Sequence, residues 1–223
     1  MNGYYDFDCG FANKAGRIGN QFGQVAYAPD GKLEFRANGA SGKVVERRTG
    51  HPFGYELHCE AAIKEAFFSS DSSKLAIADS HAVTLVAAES GLPICDPIHG
   101  DAIIRTLRIS QDASRILILR EQGVVTLWDK QLGRHLDHKK TELGRLCQTE
   151  TIQDITLSPS GEFVVAKCIG NPVAFVFSAL DGRLIVQTDP QYGVPARVQF
   201  SGDGRRFLVG SSDSRARVWS LDS

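Results

Sequence analysis

The sequence predicts an all-β fold built from about five similar units, and three observations carry that prediction. A small residue that opens a turn recurs at Ala28, Ser69, Ser110, Ser158 and Ser201, in steps of 41, 41, 48 and 43 residues. A strand-ending position follows it by 17 to 19 residues, at Val45, Val86, Trp128, Phe177 and Trp219. No window of about 11 residues carries a helical period. Two markers that stay in register over five copies indicate a repeat protein.

Composition and charge narrow the class of protein. The chain has 223 residues, 42% of them hydrophobic and 23% charged, with a formal net charge of −1. This is ordinary globular composition, and the continuous repeat favours one repeat domain. The near-neutral charge gives no electrostatic reason to expect nucleic acid or an anionic membrane as a partner. A small basic cluster, Arg205, Arg206, Arg215 and Arg217, is interpreted as a solvated face.

Cysteine usage predicts a reducing compartment. The five cysteines are an odd number with no C-x-x-C pair, which fits reduced thiols better than a disulfide framework or a zinc site. The N-terminus, MNGYYDFDCG, lacks the basic region and apolar core of a secretory signal. No apolar run approaches the roughly 18 residues of a membrane span. We therefore expect a cytoplasmic protein without metal or cofactor.

Residues 1–23 are predicted to form an N-terminal strand and a glycine-rich connector before a repeat domain at 24–223. Apolar residues alternate with Asp6 and Asp8 over Tyr5 to Phe11, which is typical of a half-buried strand. The glycine-rich stretch GRIGNQFG has the composition of a phosphate-binding loop. Such a loop needs a helix directly after it, and the strand-like residues 24–27 follow instead.

Each repeat is predicted to contain four short strands. A first strand of alternating polarity leads to a tight turn such as Pro29-Asp30-Gly31, where Gly supplies a positive φ. Ser72 and Ala113 replace that Gly in the second and third copies, which suggests looser turns there. A second strand, a third strand ending at the Trp128 position and a weaker fourth strand follow. Residues 174–177 are apolar on both faces, which indicates a sheet between two others. Such sheets stacked around an axis form a β-propeller.

The chain resembles the tryptophan–aspartate (WD) repeat family over roughly residues 24–222. The matching pieces are Trp128-Asp129, the segment 200–222, and His58 and His99, each 11 residues before its turn serine. The family has blades of about 40–45 residues with a Gly-His near the start and a Trp-Asp near the end. The resemblance implies a β-propeller that acts as a scaffold or sensor module for a protein or peptide partner, without catalysis.

The departures from the family pattern predict how the blades are stabilised. Family blades join a His, a turn Asp and the Trp in one hydrogen-bonded cluster. Here Asp213 stands at the turn position before Trp219, but Pro190 occupies the corresponding His position. The copies that carry a His lack the turn Asp. We therefore expect hydrophobic packing to carry most of the stability, with both tryptophans buried between sheets.

No catalytic motif stands out from the sequence. The segment His135-Leu136-Asp137-His138 has ligands suited to zinc or nickel, but ligands three apart converge best on a helix, and a strand or turn is expected there. His58 and His99 are interpreted as structural donors at blade edges. Asp79, Asp213 and Asn171 are interpreted as caps of hairpin turns.

Two function classes follow from this reading. The first is a non-enzymatic interaction platform. The alternative is a propeller enzyme or small-ligand-binding propeller with a site at the central channel. That alternative needs one polar residue type at one repeat position in several copies, and we find no such register for Asp, Glu or His. Apolar residues stand on or near the expected innermost strands, at Val25, Ile63, Ile103, Ile152 and Ala196. The sequence therefore favours the platform.

The number of blades is left open by the sequence. Family propellers most often have seven blades, and five copies are found here. The five copies fit a five-blade ring or part of a larger propeller, such as one end of a multidomain regulator. In a ring, the predicted strand Tyr5 to Phe11 is expected to pair beside residues 215–219 and join the two ends. The partner, the face that binds it and the oligomeric state are also left open.

Overall fold

The computed structural model describes residues 24–130, 134–137, 143, 152–190 and 193–221. The predicted N-terminal strand and connector, and with them the predicted closing strand, lie outside these residues, as does His138. Within the described ranges the chain folds into five antiparallel sheets, each meandering from one strand to the next. The predicted all-β class is confirmed. No helix in the described part of the chain is long and apolar enough to cross a bilayer.

The sheets follow the repeats in chain order, and the strands are numbered from the N-terminus. Sheet 1 contains β1 Gln24–Tyr27, β2 Leu33–Asn38, β3 Ser41–Glu46 and β4 Pro52–His58. Sheet 2 contains β5 Glu65–Phe68, β6 Lys74–Ala78, β7 Ala82–Ala87 and β8 Ile98–His99. Sheet 3 contains β9 Ile104–Ile109, β10 Arg115–Arg120, β11 Val125–Asp129 and β12 Arg134–Asp137. Sheet 4 contains β13 Ile152–Leu157, β14 Phe163–Cys168, β15 Ala174–Ser178 and β16 Leu184–Gln187. The described part of sheet 5 contains β17 Pro195–Phe200, β18 Arg206–Ser211 and β19 Ala216–Ser220.

The turn between the first two strands has the same shape in all five sheets. Gly31, Gly161 and Gly204 adopt φ of +73°, +78° and +71°. Ser72 and Ala113 adopt the same left-handed region, with φ of +62° and +52°. The expectation of looser turns at these two positions is therefore wrong. Side-chain hydrogen bonds within each turn offset the cost of a left-handed conformation for a residue with a Cβ.

Apolar residues between consecutive sheets form the core. The described residues make four apolar clusters, one each between sheets 1 and 2, 2 and 3, 3 and 4, and 4 and 5. Phe35, Leu85, Leu117 and Val176 represent the four clusters, and each is at most 1% exposed. Sheets 2, 3 and 4 are apolar on both faces because each of them is covered on both faces. The double-sided apolar pattern of the sequence is thus explained.

The first strands of the sheets lie together on the inner side. Among the described residues each of them hydrogen-bonds to a second strand on one side only, and β1 contacts β5 while β9 contacts β13. The first turns also bond from sheet to sheet. Ser70 N donates to Gln111 O at 2.7 Å, and Gln111 N donates to Pro159 O at 2.8 Å. The sheets are therefore arranged with their first strands toward a common axis and their first turns on one face, here called the turn face.

Candidate functional site

The two tryptophans of the repeat differ in burial. Trp128 is 7% exposed and belongs to the cluster between sheets 2 and 3. Trp219 is half-buried beside the cluster between sheets 4 and 5. Its Nε1 is buried without a hydrogen-bond partner among the described residues. A family blade supplies that N–H with a partner, and Pro190 stands at the His position in this copy.

Asp129, the acidic residue of the Trp-Asp pair, joins two sheets. Its side chain is 2% exposed, and Arg115 Nε donates to its Oδ2 at 2.8 Å. The same guanidinium donates from a terminal nitrogen to Gly161 O at 3.1 Å, in the first turn of sheet 4. Asp129 therefore has a structural role, holding an arginine that bridges sheets 3 and 4.

The predicted turn caps are confirmed. Asp213 Oδ1 accepts from Arg215 N at 3.0 Å, and its Oδ2 accepts from Arg217. Asp79 Oδ1 accepts from His81 N and Ala82 N, both at 2.8 Å. Asn171 Oδ1 accepts from Val173 N at 3.0 Å. Each cap lies between the second and third strands of its sheet, at the end opposite the turn face.

The predicted edge histidines lie at the ends of fourth strands. His58 Nδ1 lies 3.0 Å from Ser41 Oγ, on the neighbouring strand β3. His99 ends β8 and is exposed. Residues 135–137 belong to strand β12, as the sequence suggested. No group of three His, Cys, Asp or Glu residues in the described ranges is placed to hold a metal.

A serine and an aspartate recur together in the first turns. The serine Oγ accepts from the backbone N–H five residues later, at 2.9–3.0 Å for Ser69, Ser110, Ser158 and Ser201. An aspartate stands two residues after the turn marker in four of the five copies, at Asp30, Asp71, Asp112 and Asp203. The interpretation that neither Asp nor Glu recurs at one repeat position is therefore wrong. The recurrence of this aspartate is already visible in the sequence segments YAPDG, FSSDS, ISQDA and FSGDG.

Hydrogen bonds within the turns favour the ionised form of three of these carboxylates, Asp71, Asp112 and Asp203. The Ser69 hydroxyl and the Ser73 amide lower the pKa of Asp71 to about 2. The Ser201 hydroxyl and the Arg205 amide lower the pKa of Asp203 in the same way. Burial works against ionisation of Asp112, but donors from Ser114 and Ser110 outweigh it and lower its pKa. The turn face therefore carries a row of fixed negative charges at neutral pH.

A groove of about 710 Å³ opens on this face between sheets 1 and 2. Its lining includes four carboxylates, Asp30, Glu46, Asp71 and Glu89, against two cations, Lys32 and Arg48. Leu33 and Phe53 add apolar surface. Asp30 N donates to Ser72 Oγ at 3.2 Å across the groove, and Tyr55 N donates to Ser90 O at 3.3 Å. These bonds hold sheets 1 and 2 in position relative to each other, so the groove is a preformed acidic concavity. We take this groove as the candidate functional site.

The inner strands carry a polar row that the sequence analysis missed. Ile152 and Ala196 lie on inner strands as expected, and Ile63 and Ile103 lie just before them. Five positions of the inner strands are equivalent, because each pairs with the same position of its second strand. All five residues there are polar: Gln24, Glu65, Thr106, Asp154 and Arg197. The sequence contains this pattern, since a polar residue stands at the same repeat position in all five copies. It was not recognised because the residue type changes from copy to copy.

Two side chains of this row, those of Glu65 and Asp154, bind groups of the protein itself. Glu65 Oε2 accepts from Leu107 N at 2.9 Å. Asp154 Oδ1 accepts from Arg108 at 3.0 Å. Lys167 Nζ donates to Ala196 O at 2.6 Å and lies 3.9 Å from Asp154 Oδ2. Burial lowers the pKa of Lys167, and Asp154 opposes that shift. The bonds to Leu107, Arg108 and Ala196 run from one sheet to the next, so they join the inner edges of the blades.

Comparison with known proteins identifies the fold. The β-propeller domain of Cps50 (Swd1) from Myceliophteria thermophila superposes with a TM-score of 0.67 at 13% sequence identity. The match covers 89% of this chain and 65% of that domain, so the chain spans about two-thirds of its length. The fold is a β-propeller. No protein-family model and no curated protein matches the chain. At this identity the likeness shows the fold alone, because one fold serves many functions.

Proposed function

We propose that this protein is a non-enzymatic interaction module of the WD-repeat type, and that its groove between sheets 1 and 2 binds a basic segment of a protein partner. The observation that carries the proposal is the charge of the groove, four carboxylates against two cations in a preformed concavity. Its volume of about 710 Å³ falls within the usual range of ligand sites, roughly 300–1,000 Å³.

The arrangement of these charges supports a peptide-like ligand. Asp30 and Asp71 come from first turns, Glu46 ends β3 and Glu89 lies in the turn after β7, so the carboxylates come from four separate segments that line the groove. Spread charges match a Lys- or Arg-bearing chain better than a compact cation. Phe53 gives an apolar contact for the stem of a long basic side chain. Salt-dependent, electrostatically steered binding follows from this design.

The inner strands support the absence of catalysis. A general acid–base pair needs carboxylates placed to exchange protons with a substrate. Here Glu65 accepts from a backbone N–H, and Asp154 accepts from Arg108. These carboxylates connect one blade to the next. Among the described residues Cys59, Cys95 and Cys168 form no disulfide, and we propose a reducing, cytoplasmic compartment for the module.

Selection from a random peptide display library against the full chain tests the proposal. We expect the selected peptides to be rich in Lys and Arg and to bind more weakly as salt is raised. Glu89→Lys reverses one exposed groove charge and should weaken a selected peptide about tenfold or more. Glu56→Lys makes the same change on an exposed part of β4 and should leave affinity unchanged. Selected peptides without a basic bias, or equal affinity for the two variants, would contradict the proposal.

A further inference from the structure

The first residue of the second strand occupies the same place in each sheet, five residues after the turn marker. In sheets 1 to 4 it is Leu33, Lys74, Arg115 and Phe163. Lys74 Nζ donates to Asp112 O in the first turn of sheet 3 at 2.6 Å. Arg115 donates in the same way to Gly161 O in the first turn of sheet 4 at 3.1 Å. A cation at this position therefore connects its own sheet to the first turn of the next sheet.

Sheet 1 carries no cation at this position. Leu33 has an aliphatic side chain without a hydrogen-bond donor, and it packs in the apolar cluster between sheets 1 and 2. The acidic groove opens there, because Leu33 lines it together with Asp71 and Ser72 of the first turn of sheet 2. In sheet 4 the aromatic ring of Phe163 packs against the cluster between sheets 4 and 5. The connection that a cation makes in sheets 2 and 3 is therefore not made by Leu33 in sheet 1.

Sheet 1 nevertheless has the carboxylate that accompanies the arginine in sheet 3. Arg115 pairs across the strands with Asp129, and its Nε donates to Asp129 Oδ2 at 2.8 Å. Leu33 pairs with Glu46 at the same place. Glu46 Oε2 accepts from the Thr49 hydroxyl, and its Oε1 accepts no hydrogen bond from the residues that the structure describes. Sheet 1 thus offers an acceptor for a cation that Leu33 cannot supply.

The first turn of sheet 2 also offers the acceptors that the turns of sheets 3 and 4 use. Asp71 occupies the place of Asp112, and Ser72 occupies the place of Gly161. Ser72 and Gly161 have the same left-handed backbone conformation, with φ of +62° and +78°. Within the described ranges neither Asp71 O nor Ser72 O accepts a hydrogen bond. Since Glu46 lines the same groove, a cation held there has a carboxylate and a turn carbonyl as acceptors.

The residue type of the cation follows the residue opposite it. Lys74 pairs with Ala87, which has no acceptor in its side chain, and the ammonium binds one carbonyl. Arg115 pairs with Asp129, and the guanidinium binds the carboxylate and the turn carbonyl through different nitrogens. A guanidinium can do so because its N–H groups point along several fixed directions, whereas an ammonium acts as a point charge. Glu46 stands at the place of Asp129, so the groove matches an arginine.

Two cations of the chain itself, Lys32 and Arg48, also line the groove. Both residues are exposed. Among the described residues neither forms a side-chain hydrogen bond or ion pair with Glu46 or with the turn of residues 69–73. The place that the Arg115 guanidinium takes in sheet 3 is therefore accessible in sheet 1 to a cation of a ligand.

We infer that the groove selects an arginine of the partner, whose guanidinium lies between Glu46 and the first turn of sheet 2. Arg115 lies in the same way between Asp129 and the first turn of sheet 4. Glu46 determines the specificity, because a carboxylate beside a second acceptor favours the fork of an arginine over the single charge of a lysine. The inference rests on the proposed function, since it names the residue type that the groove recognises in a basic segment.

Two capped tripeptides measure the preference directly, acetyl-Gly-Arg-Gly-amide and acetyl-Gly-Lys-Gly-amide. Each is titrated into the isotope-labelled full chain at low salt, and the NMR shifts of the amides of residues 71–73 are followed. We expect saturable shifts with the arginine tripeptide and a Kd about fivefold or more below that of the lysine tripeptide. Equal Kd values, or no saturable shift with the arginine tripeptide, would overturn the inference.

The tripeptides and the peptide library separate the two proposals. A library selection rich in Lys and Arg, together with equal tripeptide Kd values, would leave the proposed function standing and overturn this inference. A library selection without a basic bias, together with a clear preference for the arginine tripeptide, would contradict the proposed function alone.

A pair of matched variants tests the role of Glu46. Glu46→Gln and Glu89→Gln each remove one carboxylate from the lining of the groove. Glu46→Gln should weaken the arginine tripeptide by about tenfold and make the two tripeptides nearly equal. Glu89→Gln should weaken both tripeptides by a similar factor and so preserve the preference for arginine. A preference for arginine that survives in Glu46→Gln would show that Glu46 does not determine the specificity.

A cation placed at residue 33 should compete with the ligand. Leu33→Arg gives sheet 1 the residue that sheet 3 has, and it should abolish the shifts caused by the arginine tripeptide. Leu180→Arg adds the same charge at an exposed leucine of sheet 4 and should leave the Kd unchanged. Undiminished binding by a folded Leu33→Arg protein would overturn the inference. Because Leu33 is buried, the Glu46→Gln comparison decides the question where the Leu33→Arg protein does not fold.

Discussion

Arg115 Nε and Asp129 Oδ2 form an ion pair at 2.8 Å, in which the Asp129 side chain is buried, with only 2% of its surface exposed. The arginine also donates to Gly161 O, so the pair connects β10 and β11 with the first turn of sheet 4. Asp129, the acidic residue of the Trp-Asp pair, therefore contributes to a contact between sheets 3 and 4.

Asp129→Asn should destabilise the protein by about 3 kcal/mol, because it leaves the Arg115 guanidinium partly buried without its counter-charge. Urea unfolding measures the change. In a double-mutant cycle with Arg115→Met, the double variant should lose less than the sum of the single losses. Additive losses would show that the two side chains are not coupled.

Trp128→Ala should cost about 3–5 kcal/mol, since it opens a cavity among buried neighbours of sheets 2 and 3. Trp219→Ala should cost less, because Trp219 is only half-buried. Trp219→Phe removes an N–H that has no partner among the described residues and should leave stability within about 0.5 kcal/mol. Urea midpoints compare the three variants. A loss for Trp219→Ala as large as for Trp128→Ala would contradict the burial difference.

Cys59 should be a slow nucleophile in the folded protein. Burial, with a smaller contribution from Asp79, raises the pKa of its thiol from 9.0 to about 11. A thiol pKa that is higher by about two gives about a 100-fold smaller thiolate fraction at pH 8. Alkylation with iodoacetamide, followed at the Cys59 peptide by mass spectrometry, should be slower by that order in the folded protein than in urea. Equal rates in the two states would show that the thiol is not protected.

Asp71 should contribute a pH-dependent part of the stability. Its folded pKa of about 2 lies below the 3.8 of an unperturbed group, since Ser69 and Ser73 donate to its ionised form. The unfolded chain therefore binds a proton at a higher pH than the folded one. The contribution is fully present above about pH 4 and is lost as the pH falls toward 2. Asp71→Asn should flatten the pH dependence of the urea midpoint in this range, and an unchanged slope would refute the assignment.

The sequence by itself determined the strands, the turns and their repetition. These features depend on local chemistry, such as alternation of apolar residues and glycine at positive φ, and both can be read along the chain. The Asx caps at Asp79, Asp213 and Asn171 were predictable for the same reason, because their partners lie two or three residues away. The turns at Ser72 and Ala113 were misjudged because the serine–aspartate bonds that support them were not considered.

The tertiary structure decided which equivalent positions are covered and which charges meet. Val176 and Val218 occupy the same repeat position, yet one is 0% and the other 65% exposed. Their local sequences do not distinguish them, because burial depends on the sheet that packs opposite. The groove likewise combines turns that are more than 40 residues apart in the chain, and the inner row changes residue type from blade to blade. Such groupings arise only when the sheets stack, since stacking brings together residues that no local pattern relates.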